Sequence, residues 1–124
     1  MAKMGKELRN KLLEAYLNLG TLLREANEYD KAAEALHQAI ELDPDHALAH
    51  SALGMTLIDL GKKEKAVEIL KRAIELDPKR AEAYQTLGLV LQDLDRAEEA
   101  IELLEKATTL DPKRASAFQA LGTA

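Results

Sequence analysis

The chain has 124 residues, a formal charge of −5, one Phe, three Tyr and neither Cys nor Trp. Without cysteine, disulfides, thiolate metal sites and cysteine nucleophiles are excluded, and the acidic balance lacks the basic face of a nucleic-acid binder. Leu and Ala supply most of the apolar residues, and both are strong helix formers, so an all-α protein is predicted.

The opening MAKMGKELRNKLL has no apolar signal core. No apolar run approaches the length needed to cross a bilayer, so a cytoplasmic protein without a membrane partner is expected. Lys3, Lys6, Arg9 and Lys11 stand against Glu7 alone, making this end basic. Leu8, Leu12 and Ala15 carry the apolar face of the first helix backwards, so residues 6–12 read as its extension, covering the exposed end of a helical stack.

From residue 13 a period of 34 sets in. Pro44, Pro78 and Pro112 keep it, as do Gly20, Gly54, Gly88 and Gly122, each preceded by Leu. Ala32, Ala66 and Ala100 form another series, Ala39, Ala73 and Ala107 a further one, and Leu36, Leu70 and Leu104 another. The units are 13–46, 47–80 and 81–114, with part of a fourth at 115–124. The chain stops at Ala124 inside a first helix, which reads as a fragment or an engineered chain.

Each unit reads as two helices. In the second unit they run from about Pro44 to Leu60 and from about Glu64 to Leu76, with apolar residues at three- and four-residue steps. Asn27, Gly61 and Asp95 separate the two helices of a unit, and these types tolerate the left-handed backbone that ends a helix. Between units stands Asp-Pro. Proline stops the preceding helix, and the aspartate is expected to cap the next one with Pro in its first turn. The helical glycines, each costing about 1 kcal/mol against Ala, predict close contact between paired helices, Gly of one against Ala32, Ala66 or Ala100 of the other. Glu68 with Arg72 and Glu102 with Lys106 are spaced as surface ion pairs.

No catalytic constellation is present, and no enzyme activity or cofactor is expected. The chain has two serines, three histidines and no clustered glycines. His46 and His50 are four apart, a spacing that can hold a metal, but no third ligand accompanies them and no metal site is expected.

This 34-residue pattern resembles the tetratricopeptide repeat family. The family's aromatic position falls on Tyr16, His50, Tyr84 and Phe118. Its Leu-Gly pair, both Ala positions and its Pro fall in register. The resemblance covers residues 13–124 and implies a right-handed α-solenoid of three helix-turn-helix repeats plus a C-terminal helix. It implies a protein-interaction scaffold whose first helices line a concave groove. Carried onto this chain, the groove positions are Glu14, Leu17, Thr21, Arg24 and Glu25 in the first unit. In the second they are Leu48, Ser51, Met55, Ile58 and Asp59, and in the third Glu82, Gln85, Leu89, Gln92 and Asp93. Ser116, Gln119 and Thr123 extend the row.

Family members that grip a chaperone's C-terminal carboxylate use Lys, Arg and Asn. The matching positions here are Leu17, Thr21, Ala52, Glu82 and Thr86, or one unit later Ser51, Met55, Thr86, Ser116 and Ala120. Neither set holds a cation, so no such clamp is implied. The remaining strip is apolar at Leu17, Met55, Ile58 and Leu89 and acidic around them, which predicts a peptide partner with apolar anchors and basic flanks. A second reading is self-association through the chain ends, where Phe118 and Leu121 await a covering helix.

Overall fold

The structure is a computed structural model and describes residues 5–113. Six helices follow one another: α1 (Lys6–Glu25), α2 (Tyr29–Leu42), α3 (Ala47–Asp59), α4 (Lys63–Leu76), α5 (Ala81–Asp93) and α6 (Ala97–Leu110). No strand occurs among the described residues. Successive pairs form three hairpins, and each hairpin packs on the next through α2–α3 and α4–α5. This is an all-α solenoid, and its core is the seam between hairpins. Leu36, Leu53, Leu70, Leu87 and Leu104 are almost completely buried along it. The expected seventh helix, with Ser116, Phe118, Gln119, Leu121 and Thr123, lies outside the described residues.

The turn inside each hairpin follows from one backbone conformation. Asn27, Gly61 and Asp95 have φ of 64°, 78° and 61°, as their residue types predict. The left-handed residue folds the chain back so that Glu28 N donates to Leu23 O at 2.8 Å and Asn27 N to Arg24 O at 3.0 Å. Lys62 N with Leu57 O and Arg96 N with Leu91 O repeat the long bond. These are Schellman motifs, which satisfy the last carbonyls of the first helix.

The junction between hairpins differs from the sequence expectation. Asp43, Asp77 and Asp111 are not N-caps; each closes the preceding helix. Its carboxylate accepts the amide two residues on, as in Asp45 N to Asp43 Oδ1 at 3.2 Å and Lys113 N to Asp111 Oδ1 at 3.1 Å. The prolines occupy the resulting Asx turns, and α3 begins three residues after Pro44 rather than at it. His46 is the cap of α3, its Nδ1 accepting from Ala49 N at 3.2 Å.

Two packing expectations are also corrected. The helical glycines meet leucine side chains first, and only Gly88 also approaches its alanine, through the Ala100 carbonyl oxygen at 3.3 Å. A methyl group on Gly20 or Gly88 would stand 2.8 Å from Cγ of Leu36 or Leu104, the leucine sixteen residues ahead. The alanines are buried nearby, but the leucine crosses the glycine notch. Arg72 does not pair with Glu68; it reaches Asp45 at 3.3 Å and Glu75 at 3.5 Å. Residues 6–12 do extend α1, in one unbroken helix. They do not cover the end of the stack, because Leu19 and Leu22 remain exposed.

Candidate binding groove

The first helices α1, α3 and α5 touch in sequence order, so their residues at matching positions form rows across the solenoid. Two adjoining hollows open on this surface. The larger, about 260 Å³, has Met55, Ile58, Leu89 and Val90 as its apolar wall and Arg24, Asp59, Thr86 and Asp93 as its polar one. The smaller, about 160 Å³, lies between α1 and α3 and runs from Gly20, Thr21 and Leu36 to Leu48, Ala52 and Thr56, with Glu82 at its edge. Arg24 and Met55 line both. An unbranched thioether between two hollows can adjust to either.

Backbone packing explains the notch in the smaller hollow. Glycine at residue 20 has no side chain, so Leu36 of α2 shows through the surface of α1. The threonines turn their hydroxyls away from it: Thr21 Oγ1 donates to Leu17 O at 3.0 Å and Thr56 Oγ1 to Ala52 O at 2.9 Å.

The electrostatics are milder than the acid count of the sequence. Arg24 Nε donates to Asp59 Oδ2 at 2.5 Å, bridging α1 and α3 across the floor. Lys63, from the start of α4, stands 3.7 Å from Asp93. Arg80 stands 3.6 Å from Glu82. Each acid in the hollows therefore has a cation of its own chain beside it.

Nine sequence-predicted positions come together: Thr21, Arg24, Leu48, Met55, Ile58, Asp59, Glu82, Leu89 and Asp93. Ser51 and Gln85 do not belong, since both are buried. They follow the core residues His50 and Tyr84, and the matching Leu17 likewise packs against the core around Leu13, Ala39 and Ala49. Glu14 and Gln92 line neither hollow. Ala52 and Thr86, named above only as clamp-equivalent positions, also line the hollows, one helical turn beyond Leu48 and Glu82, and the unforeseen members are Gly20, Leu36, Thr56 and Val90 at the base. The four-residue step from Leu48 and Glu82 puts Ala52 and Thr86 on the same helix face.

His46 and His50 are engaged locally. His50 Nε2 bonds the carbonyl of Pro44 at 2.8 Å, and His46 holds its cap. Among the described residues no group of three or more His, Asp or Glu is placed to hold a metal ion, and no helix is long and apolar enough to cross a membrane.

Residues 17–81 and residues 57–124 match sequence profiles described as tetratricopeptide repeat. No curated protein matches the chain. Among solved structures, MamA is similar at 32% identity and a TM-score of 0.85, over 90% of this chain and 65% of that one. The chain thus spans under two thirds of MamA's length. The Arabidopsis OM64 TPR domain is similar at 22% identity and a TM-score of 0.90, over 93% of this chain and 95% of that one. The first TPR of Spaghetti (RPAP3), solved bound to HSP90 peptide SRMEEVD, is similar at 20% identity and a TM-score of 0.88, over 91% of this chain and 90% of that one. With two profiles that each span more than half the sequence and three hairpins in the matching order, the chain belongs to the tetratricopeptide repeat family.

Proposed function

We propose that the protein is a non-catalytic interaction scaffold that holds a peptide segment across α1, α3 and α5. The observation that carries this reading is the larger hollow, whose apolar wall of Met55, Ile58 and Leu89 reaches solvent over a buried Val90 and is ringed by charge. An apolar side chain set into it buries surface at about 25 cal/mol per Å². The fold shared with a peptide-bound TPR domain supports the reading. That relative's acidic peptide is not the chemistry expected here, since the cation of the hollow, Arg24, is already tied to Asp59.

The partner in this reading carries apolar anchors and a basic flank. Asp93 is the landing point for the flank: its pair with Lys63 is long and solvent-exposed, and such pairs contribute little. A peptide Lys or Arg can displace Lys63 at small cost. A cytoplasmic setting is part of the same proposal and rests on the sequence alone.

The test is binding of an apolar-basic peptide library to the native chain, Leu89→Asp and Asp93→Lys. Leu89 and Asp93 are exposed, so both variants keep their helices. Loss of binding in Leu89→Asp and weaker, less salt-dependent binding in Asp93→Lys are expected. Unchanged binding in both would place the partner elsewhere.

A further inference from the structure

The three hairpins repeat one design, so a residue's exposure can be compared with its counterparts 34 and 68 positions on. Leu19 is 46% exposed, whereas Leu53 and Leu87 are each 1% exposed. Leu22 is 62% exposed, whereas its counterparts Thr56 and Val90 are 0% and 2% exposed. In α3 and α5 this face is covered by the second helix of the preceding hairpin. On α1 it is bare.

A hollow of about 390 Å³ lies on the same side, among Tyr16, Leu19, Leu23 and Ala35, with Lys31, Glu34 and Gln38 of α2 along its other wall. In the third hairpin the corresponding place is also a hollow, of about 370 Å³, but there Ile74 of α4 stands beside Leu87 and Leu103. What α1 lacks is therefore a helix that brings aliphatic side chains.

α1 itself has the pattern such a helix needs. Leu8, Leu12, Ala15, Leu19 and Leu22 recur at alternating steps of four and three, the spacing of a coiled-coil seam. α1 spans 20 residues against 13 for α3 and α5, and the extra turns continue the seam through exposed Leu8. Its charges are polarised along the axis. Lys6, Arg9 and Lys11 outnumber Glu7 in the first turns, and Glu25 stands at the far end, beside a Glu28 that pairs with Lys31 at 3.8 Å. Arg24, the cation that α1 itself has at that end, is held by Asp59.

We propose that the outer face of α1 is a dimerisation surface whose occupant is α1 of a second copy of this chain, lying antiparallel. A two-fold contact pairs each residue with its counterpart reciprocally. Leu8 of one copy faces Leu22 of the other, and Leu12 faces Leu19. Ala15 meets itself at the axis, where its small side chain lets the helices approach. Glu25 then lies beside the turn that carries Lys6 of the other copy. A parallel pair would instead set Lys6, Arg9 and Lys11 against themselves, and like charges in register are repulsive. The groove across α1, α3 and α5 lies on another face and stays open in the dimer.

The test is light scattering and sedimentation equilibrium on the native chain over a wide concentration range, beside Leu19→Glu/Leu22→Glu. Both positions are exposed, so circular dichroism of the variant is expected to match the native chain. A concentration-dependent dimer that the double variant weakens by roughly a hundredfold in Kd supports the proposal, because charge replaces apolar contact at both ends of the seam. A strict monomer throughout overturns it, and so does a dimer that persists in the variant, which would be using another face. The chain has no cysteine, so single cysteines report orientation. Ala15→Cys is expected to form a disulfide-linked dimer on oxidation and Leu8→Cys is not. Equal cross-linking of the two overturns the antiparallel arrangement.

Discussion

A methyl group on Gly54 would lie 2.6 Å from Cγ of Leu70. Carbon atoms do not pack that closely, so α3 and α4 meet where they do because residue 54 has no side chain. Ordinarily Gly→Ala in a helix gains about 1 kcal/mol. Here Gly54→Ala is expected to lose about 1–3 kcal/mol by overpacking, measured by urea unfolding. Gly54→Leu should lose more, and Lys62→Leu on the exposed turn should be nearly neutral. Leu70→Ala costs about 2–5 kcal/mol, and on that background Gly54→Ala should cost much less. A stabilised Gly54→Ala would refute the contact.

Ser51 presents the opposite case. Its hydroxyl is buried and has no hydrogen-bond partner, and an unsatisfied buried polar group costs about 1–3 kcal/mol. Ser51→Ala removes the hydroxyl and almost no volume. It is expected to raise stability by about 1 kcal/mol and to leave peptide binding unchanged. A destabilised variant would show that the hydroxyl has a partner.

The Arg24–Asp59 pair sets the charge of the groove floor. Arg24→Ala leaves Asp59 unneutralised beside Ile58 and Leu89. Binding of basic peptides should then tighten and become more salt-dependent, since the added attraction is Coulombic and screened. Isothermal titration at two ionic strengths measures both effects. Weaker binding would mean that Arg24 itself contacts the ligand.

At the start of α6, Arg96 Nε donates to Glu99 Oε1 at 2.9 Å and Arg96 Nη2 donates to Oε2 at 3.0 Å. This hydrogen bonding, with the charge of Arg96 behind it, holds the Glu99 carboxyl below its ordinary range. The same bond raises the guanidinium of Arg96. A carboxyl depressed in the folded state contributes stability at neutral pH and loses it as pH falls through its folded pKa. The gap between the native chain and Glu99→Gln is therefore expected to be small and positive at pH 7, and to close in acid. A gap that widened in acid would contradict the pairing.

The repeat, the helices and the left-handed turns are legible in the sequence because they depend on near neighbours along the chain. Asn27, Gly61 and Asp95 announce their backbone conformation by residue type alone. What stays hidden depends on rotation between helices. The glycine contact falls on Leu70 rather than Ala66, one turn along α4, because only the crossing point decides which side chain enters the notch. Ser51 and Gln85 sit beside core positions, and helix packing buries them. The acid count overstates the charge of the groove because Lys63 reaches Asp93 from a different helix. Counting along α1, α3 and α5 alone omits that cation.

The Asx turns at Asp43 and Asp77 connect hairpins whose packing is with the hairpin next along the chain. No long loop has to close before contacts form, so folding should be fast and should begin in any hairpin pair. Unzipping would start at the ends and travel inward. Amide protons of α3 and α4, guarded on both sides, would then be the last to exchange with deuterium.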